Sequence, residues 1–258
     1  MNNQIFKYGS FLGKAKLYSK YRPKYSNNYY QFLKSSLNIN KESIVADIGA
    51  GTGIHTKGLV GIAKEVFAIE PDLQMMNECL FQLKDYPNVS GINCSAEEIY
   101  LPNNSVDYIT VAQAFHLFDE KKSLSEFHRI IRPNGLLILV WNSKEHNELF
   151  FANERVIEKY CPLYKREVHA RQFSYDSYRD LFIPETYSYN YFYGDSNEQL
   201  DKETFIMRTM SASYAITKSD KEYFSMINEL QKVFDYYSLN QLVKVPQSTV
   251  IFSGKIKT

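Results

Sequence analysis

Between Ile44 and Asn142 the sequence repeats one order of elements: a short apolar segment, a turn, and a segment with apolar residues at helical spacing. Five buried strands are predicted in this stretch, the last of them over residues 135–142. The helix predicted before it, over residues 121–132, is expected to end at the turn signal Pro-Asn-Gly of residues 133–135. Strands that alternate with helices form right-handed βαβ units, so we predict an α/β fold with a doubly wound, mostly parallel sheet.

No internal repeat and no Pro-rich or Gly/Ser-rich linker divides the chain, which predicts a single domain over residues 1–258. The segments on either side of the strand–helix stretch are rich in Tyr and mostly helical in pattern, with one alternating Tyr-rich strand near Tyr187–Tyr193. We expect a domain of four parts, namely an N-terminal helical cap at 1–40, a core at 41–143, a helical and Tyr-rich insertion at 144–240 and a closing strand at 241–258.

Charge and hydropathy argue against two classes of partner. The chain has 30 Lys and Arg against 29 Asp and Glu, a balance that gives no electrostatic footprint for nucleic acid or an anionic membrane. The longest strongly apolar run, Gly135–Trp141, is far shorter than the roughly 20 residues that span a bilayer. The first residues lack the apolar core of a signal peptide. We therefore expect neither nucleic-acid nor membrane partners.

The spacing of cysteines and histidines argues against a metal site. Cys79, Cys94 and Cys161 lie too far apart for a CxxC metal clip, and the five histidines show neither HExxH nor HxxxH spacing. We interpret the cysteines as reduced thiols, in keeping with a cytoplasmic location.

The segment Asp47–Gly53, Asp-Ile-Gly-Ala-Gly-Thr-Gly, joins the first predicted strand to a helix predicted over residues 55–63. Glycines suit a sharp turn and the close approach of a ligand to main-chain atoms, and the N-terminus of a helix offers free N–H groups to an anion. A tight turn in any α/β protein explains the same glycines. The dinucleotide fingerprint Gly-x-Gly-x-x-Gly fails, because its third glycine falls on Ile54 or Thr56, and this disfavours a nicotinamide cofactor.

Glu70 ends the second predicted strand, twenty-one residues after Gly49. A carboxylate at this place in a nucleotide-binding α/β unit accepts hydrogen bonds from ribose hydroxyls. A single Glu at a strand end is more often plain surface charge, so the functional interpretation depends on its pairing with the glycine loop.

Three further segments flank the predicted strands. Cys94–Glu97 (Cys-Ser-Ala-Glu) follows the third strand, and Val111–Asp119 (Val-Ala-Gln-Ala-Phe-His-Leu-Phe-Asp) leaves the fourth strand at its carboxyl end, where open α/β sheets bind ligands. Tyr18–Tyr25 (Tyr-Ser-Lys-Tyr-Arg-Pro-Lys-Tyr) precedes the core, and its proline ends any helix nearby. An ordinary capped loop is the alternative for the first of these segments, and an amphipathic surface segment for the last.

Taken together, these motifs resemble the class I S-adenosylmethionine-dependent methyltransferases of the small-molecule type, the family that includes trans-aconitate methyltransferase and the ubiquinone/menaquinone biosynthetic enzymes. The glycine segment resembles their motif I, Val111–Asp119 resembles their AQAxHWF segment with Leu117 in place of Trp, and Tyr18–Tyr25 resembles their YxxYRPxY segment. The resemblance implies a seven-stranded, Rossmann-like methyltransferase fold with a helical insertion before the last strands. It also implies S-adenosylmethionine as the cofactor and S-adenosylhomocysteine as the product.

The resemblance further implies which residues bind the cofactor. The glycine loop surrounds its amino-acid end, the loop after the third strand follows the adenine edge, and the N-terminal segment closes over it, with aromatic faces suited to a sulfonium cation and Arg22 suited to a carboxylate. The family commonly has Asp where Ser95 stands, and Glu97 is an alternative acceptor for the adenine amino group. The predicted cofactor-binding residues are Tyr18, Tyr21, Arg22, Asp47, Gly49, Ala50, Gly51, Thr52, Gly53, Glu70, Pro71, Met75, Ser95, Ala96, Glu97 and Gln113.

His116 and Tyr21 are the candidate catalytic residues, with Tyr18 beside Tyr21. His116 follows the fourth strand, and His accepts a proton near neutral pH, so it is expected to act as a general base or to orient the substrate. An amine or an ionised carboxylate as acceptor needs no base. The segment Asn/Asp-Pro-Pro-Tyr of nucleic-acid amino methyltransferases is absent, which argues against base methylation. A protein that binds S-adenosylmethionine without catalysis and a nicotinamide-dependent oxidoreductase are the alternatives.

Overall fold

The computed structural model describes residues 11–169, 173–193 and 198–257, and contacts between residues divide them into two units. The core unit comprises residues 24–142, 173–193 and 249–257, and the helical unit comprises residues 11–23, 143–169 and 198–248. Each unit is therefore assembled from segments that lie far apart in the sequence.

Within the described ranges the strands are short, apart from one long strand after the fifth helix. They are β1 (Ile44–Ile48), β2 (Glu65–Ile69), β3 (Val89–Ile92), β4 (Val106–Ala112), β5 (Ile131–Lys144), β6 (Ser188–Tyr193), β7 (Gln199–Leu200), β8 (Val243–Lys244) and β9 (Gln247–Gly254). β7 pairs with β8 in a separate antiparallel ribbon.

The other strands form one sheet in the order β3-β2-β1-β4-β5-β9-β6. The pairs β3–β2, β2–β1, β1–β4 and β4–β5 are all parallel. The chain builds outward from β1 through β2 to β3 and then returns to place β4 on the other side of β1, so β1 and β4 form the switch point of the sheet. The predicted α/β fold with a doubly wound, mostly parallel seven-stranded sheet is confirmed.

The helices of the described residues are α1 (Ala15–Tyr21), α2 (Asn27–Ser35), α3 (Thr56–Leu59), α4 (Leu73–Gln82), α5 (Glu120–Ile130), α6 (Glu148–Tyr160), α7 (Arg166–His169), α8 (Lys202–Met210) and α9 (Tyr223–Tyr237). Aspartates cap the first turns of α4, α5 and α8, because the side chains of Asp72, Asp119 and Asp201 accept backbone N–H groups there. Within the part of the chain that the structure describes, no helix is both long and apolar enough to cross a membrane.

Buried apolar side chains cover both faces of the sheet. Along β1, Ala46 and Ile48 belong to one apolar cluster and Val45 to another, and along β5 Leu137 and Ile138 divide in the same way. Successive side chains of a strand point to opposite faces, so a strand buried on both sides reads as a continuous apolar run. This is why the central strands are visible in the sequence.

Two local predictions were wrong. The helix expected over residues 55–63 is only α3, because Gly58 and Gly61 favour helix poorly. The ring of Tyr30 occupies the place of a side chain at Gly58, 2.1 Å from a Cβ built there. The turn expected at 133–135 lies inside β5. There, the step from Val106 to Tyr108 on β4 is opposed by the longer step from Ile131 to Leu136 on β5, an irregularity that accommodates Pro and Gly in a strand.

The regions outside the central strands also differ from the expected arrangement. The Tyr-rich strand exists as β6, but it lies at the edge of the main sheet in the core unit, although it was placed in the insertion at 144–240. The closing segment at 241–258 holds two strands in two different sheets, β8 and β9. The single domain over 1–258 stays a prediction, and residues 1–10 of its expected cap lie outside the described residues.

Candidate functional site

The glycine loop after β1 has a left-handed backbone at all three glycines. Gly49, Gly51 and Gly53 have φ of 73°, 58° and 82°, a region that side chains with a Cβ rarely adopt. A Cβ at Gly49 would lie 2.5 Å from the Ala114 Cβ, and one at Gly53 would lie 2.8 Å from the Cys79 Sγ. At Gly51 the nearest atom is the Met75 Cε at 3.9 Å. The outer glycines therefore permit close packing, whereas Gly51 leaves its backbone open to a ligand.

Glu70 leaves β2 beside this loop and is 9% exposed. Its Oε2 accepts the Gly51 N–H at 2.9 Å and its Oε1 accepts the Asp72 N–H at 2.9 Å. Burial raises the pKa of the Glu70 carboxyl to about 7, although these two backbone hydrogen bonds act in the opposite direction. Each carboxylate oxygen accepts more than one hydrogen bond, so Glu70 keeps acceptor capacity for a ligand.

Asp47, at the carboxyl end of β1, is fully buried. Its Oδ1 accepts from His55 Nδ1 at 2.9 Å and from Thr110 Oγ1 at 2.9 Å, and its Oδ2 accepts from Thr56 Oγ1 at 2.6 Å. Burial by itself would raise the pKa of Asp47, but the neighbouring His55 and these hydrogen bonds hold it below its ordinary value. The carboxylate is thus directed into the base of the loop, and its predicted cofactor contact stays a prediction.

The remaining predicted residues of the loop and of α4 lie around the same strand end. Ala50 N donates to Ile69 O at 3.0 Å, and Thr52 is 1% exposed, with an Oγ1 that has no hydrogen-bond partner in the described part of the chain. Pro71 follows Glu70 and accepts from Asn93 Nδ2 at 3.0 Å. Met75 is buried in the first turn of α4.

The loop after β3 is held by its own hydrogen bonds. Ser95 Oγ accepts the Glu97 N–H at 3.3 Å, and Glu97 Oε1 accepts the Asp119 N–H at 2.9 Å at the start of α5. Ala96, which lies between Ser95 and Glu97 in the sequence, is buried. Asn93, at the end of β3, donates to Glu70 O at 2.8 Å, which joins this loop to the end of β2.

The segment after β4 begins with a left-handed residue that is not glycine. Gln113 has φ of 59°, its N–H donates to Val140 O at 2.8 Å and its Nε2 donates to Asn142 O at 3.2 Å. Such strain is held in place by surrounding structure and is common at functional sites. His116 follows on a short 3₁₀ turn, Phe115–Leu117, and is half-buried. Both residues therefore follow the carboxyl end of β4, next to the glycine loop after β1.

Tyr18, Tyr21 and Arg22 belong to the helical unit. The Tyr21 hydroxyl donates to the Glu203 carboxylate, and the Arg22 guanidinium lies over the Tyr18 ring, 5.0 Å from its centroid. Arg22 Nε is buried without a hydrogen-bond partner among the residues that the structure describes. The predicted contacts of these three residues with the cofactor, and catalysis by Tyr21, stay predictions.

Residues 46–139 match the family model described as a methyltransferase domain. This stretch begins within β1, includes the glycine loop and Glu70, and ends within β5. It is a class I methyltransferase domain. The predicted family resemblance is therefore confirmed for the part of the chain that carries the strand-end motifs.

Similar proteins agree with this assignment of the methyltransferase domain. An uncharacterized methyltransferase from Schizosaccharomyces pombe is 31% identical over 131 residues, 50% of this chain and 51% of that protein. The ubiquinone/menaquinone biosynthesis C-methyltransferase from Campylobacter jejuni is 27% identical over 125 residues, 45% of this chain and 52% of that protein. The chain thus spans about half the length of the curated relatives it matches.

A solved structure shares the fold over nearly the whole chain. The provisionally assigned type II methyltransferase from Anaeromyxobacter dehalogenans aligns with a TM-score of 0.59 and 18% identity, covering 91% of this chain and 97% of that one. At this identity the likeness concerns the fold.

S-adenosylmethionine is the cofactor of this domain family, and the methyltransferase domain has features that fit it. Gly51 leaves open backbone at the switch point, Glu70 provides a buried carboxylate for hydroxyl groups, and Thr52 carries a buried hydroxyl that lacks a partner among the described residues. The residues that would hold the cofactor are those of the glycine loop, Glu70 and the loop after β3.

Sequence reasoning missed Tyr29, His55 and Thr110. His55 and Thr110 bind the Asp47 carboxylate, and Tyr29 binds His55. His55 was visible just after the glycines, but nothing in the sequence indicated that Tyr29 and Thr110 lie beside it. Among the described residues no group of three or more His, Cys, Asp and Glu side chains is arranged to hold a metal ion.

Proposed function

We propose that this chain is an S-adenosylmethionine-dependent methyltransferase that acts on a small-molecule acceptor. The observation that carries the proposal is the meeting of four loops at the carboxyl ends of β1 to β4, in a domain of the methyltransferase family. The near balance of 30 basic and 29 acidic residues supports a small-molecule acceptor over nucleic acid. The three cysteines are buried and form no disulfide, which supports a cytoplasmic location.

The residues of the domain have separate parts in this proposal. The cofactor supplies a methyl group activated by attachment to a sulfonium sulfur. Glu70 accepts hydrogen bonds from ribose hydroxyls, Gly51 offers its open backbone, and the loop at Ser95–Glu97 binds the base. Gln113 holds the backbone that leads to His116. The protein then contributes mainly by aligning the acceptor behind the methyl group, an effect that supplies several kcal/mol.

His116 serves the acceptor in one of two ways. It takes a proton from a hydroxyl or acid acceptor, or it orients the acceptor by a hydrogen bond. If His116 is the base, replacement by Ala and by Gln should each lower the methylation rate by roughly 10²–10⁴-fold. Recovery of the rate in His116→Gln would assign only orientation, because the amide donates and accepts hydrogen bonds without titrating. Full activity in both variants would transfer the role to Tyr21 or Tyr18, or to an acceptor that needs no base.

Calorimetry with S-adenosylhomocysteine and with NAD tests the proposed cofactor. We expect binding of S-adenosylhomocysteine and no signal for NAD, because the glycine spacing does not match a dinucleotide loop. Binding of NAD alone would replace the proposal by an oxidoreductase. Binding of S-adenosylhomocysteine without methyl transfer from S-adenosylmethionine to any acceptor in a small-molecule panel would leave a cofactor-binding protein without catalysis.

A further inference from the structure

His55 is a buried histidine that no part of the proposed chemistry uses. It is 3% exposed and lies between two other buried side chains of the core unit, Asp47 and Tyr29. Its Nδ1 is 2.9 Å from Asp47 Oδ1, and its Nε2 is 2.8 Å from the Tyr29 hydroxyl oxygen. The three side chains therefore form one continuous hydrogen-bonded row, which we call the Tyr29–His55–Asp47 row.

The pKa shifts of Asp47 and Tyr29 constrain the hydrogen bonds of the row. The pKa of Asp47 is held low, so its carboxylate only accepts, and His55 Nδ1 must donate to it. Burial raises the pKa of Tyr29 well above its ordinary value, so the phenol keeps its proton. The Tyr29 hydroxyl and His55 Nε2 share the second hydrogen bond, so both ring nitrogens of His55 have a partner within the row.

The row closes the base of the glycine loop. Asp47 precedes the loop, whereas His55 and Thr56 follow it, and both bind the Asp47 carboxylate. Thr110 of β4 binds the same carboxylate from the neighbouring strand. The two ends of the loop are thus held together by side chains, in addition to the backbone bonds from Gly49 and Ala50 to Ile69 O at 2.8 and 3.0 Å.

The far end of the row belongs to helix α2. Tyr29 is 0% exposed, and its ring stacks on the His55 ring with centroids 5.8 Å apart, while Tyr25 meets the same ring edge-on at 5.1 Å. A displacement of α2 would therefore move the His55 ring, and through it Asp47 and the loop, since close-packed side chains transmit such shifts.

We propose that Tyr29 and His55 are positioning residues that hold the glycine loop in the form that binds the cofactor and couple it to helix α2. This inference rests on the proposed function, because the ligand of the loop is the one proposed above. A loop held in its binding form before the ligand arrives loses less conformational entropy on binding, so its affinity is higher. By reciprocity, cofactor binding stabilises α2.

Two amide substitutions separate the two bonds of His55. The side-chain amide of Asn reaches the place of Nδ1, and that of Gln reaches the place of Nε2, so His55→Asn retains the bond to Asp47 and His55→Gln retains the bond to Tyr29. We expect S-adenosylhomocysteine affinity to fall about fivefold in His55→Asn, which loses the bond to Tyr29, and by about tenfold or more in His55→Gln, which loses the bond to Asp47. Equal affinities in both variants and the parent would overturn the proposal.

Tyr29→Phe tests the row with the ring retained, should the His55 variants fail to fold. Tyr108→Phe is the matched control, because the Tyr108 hydroxyl donates to Leu37 O at 2.7 Å, outside the Tyr29–His55–Asp47 row. We expect Tyr29→Phe to lower S-adenosylhomocysteine affinity about fivefold or more and Tyr108→Phe to leave it unchanged. A purely structural role would lower the Tm of both variants and alter the affinity of neither.

Amide hydrogen exchange measures the mobility of the glycine loop without requiring the cofactor. In the ligand-free protein, Tyr29→Phe should speed exchange in the loop over residues 49–56 more than Tyr108→Phe does. With S-adenosylhomocysteine, protection should rise in α2 of the parent and less in Tyr29→Phe. If the parent binds no S-adenosylhomocysteine, the proposed function fails, and ligand-free exchange alone decides whether the row holds the loop. Identical loop exchange in both variants would refute it.

Discussion

The Glu70 carboxylate accepts two backbone N–H groups within the protein itself, one from the glycine loop and one from the start of α4. It therefore fixes the path of the chain around the switch point as well as offering acceptors to a ligand. Its burial makes the charged form costly, and this raises its pKa to about 7. A carboxyl that titrates near neutrality gives the site a pH dependence.

The affinity for S-adenosylhomocysteine should rise as the pH increases through about 7, because ionised Glu70 accepts hydrogen bonds with both oxygens. The stability should change in the opposite direction. The folded state keeps the Glu70 proton to a higher pH than the unfolded chain, with its ordinary pKa of 4.5, so this group's contribution is present below about 4.5 and is lost by about 7. Calorimetry and urea titrations between pH 4 and 8 measure both.

Glu70→Gln is the control for this titration, since it is isosteric and has no proton to lose in this range. In Glu70→Gln, the affinity for S-adenosylhomocysteine and the unfolding free energy should lack the pH dependence that the titration of Glu70 gives the parent near pH 7. Parallel pH profiles for the parent and Glu70→Gln would contradict the assignment.

At the scale of an element, the glycine loop combines two demands on the same short segment. Gly53 has no room for a side chain, because Cys79 Sγ and Leu83 Cδ1 lie 2.8 and 3.0 Å from the position of its Cβ. Gly51 has room, with Met75 Cε at 3.9 Å as the nearest atom. Packing therefore requires a glycine at position 53, whereas Gly51 leaves its backbone accessible.

Gly51→Ala and Gly53→Ala should affect different properties. Both adopt positive φ, which costs an Ala roughly 1–2 kcal/mol. Gly53→Ala also overpacks against α4, a further cost of about 1–3 kcal/mol, so it should lower the unfolding free energy more. Gly51→Ala should lower S-adenosylhomocysteine affinity by tenfold or more, because its methyl group occupies the open side of the loop. Urea denaturation and calorimetry compare the pair, and a larger affinity loss in Gly53→Ala would reverse the assignment.

At the scale of the whole molecule, the two units are stabilised internally by different kinds of contact. In the helical unit Arg208 is 8% exposed and binds Glu198 through both terminal nitrogens, at 2.7 and 2.8 Å, and Tyr21 O through Nε at 3.0 Å. The single tryptophan, Trp141, belongs to the core unit, is 3% exposed and stacks on Tyr178 at 4.7 Å. Its fluorescence therefore reports on the core unit.

Arg208→Met should destabilise the helical unit by about 1–3 kcal/mol, because it removes the hydrogen bonds of a buried guanidinium to Glu198 and to Tyr21 O. Lys202→Met is the matched control on the same helix. The Lys202–Asp235 pair, at 2.6 Å, has both side chains exposed, and its loss should cost less than about 1 kcal/mol. We expect Arg208→Met to unfold by circular dichroism at a lower temperature than by Trp141 fluorescence. Coincident transitions would indicate that both units unfold as one.

The sequence alone was sufficient for the central sheet and for the loops at its strand ends. Strands buried on both faces appear as continuous apolar runs, and right-handed crossovers leave the ends of parallel strands at one edge. The glycine loop and Glu70 could therefore be assigned to one site before their distance was known. Positive φ at Gly49, Gly51 and Gly53 is likewise a local property, since glycine alone adopts it at little cost.

Only the tertiary structure decided what these residues contact. Glu70 binds the Gly51 N–H, and Tyr29 meets His55 across 26 positions of the chain, contacts that no local pattern encodes. Tyr30 packs against Gly58 of the short helix after the loop, and the expected turn after α5 became part of β5, whose pairing with β4 at Ile131 resumes at Leu136. Packing and pairing between distant segments outweigh local propensity, which is worth only about 1 kcal/mol per residue.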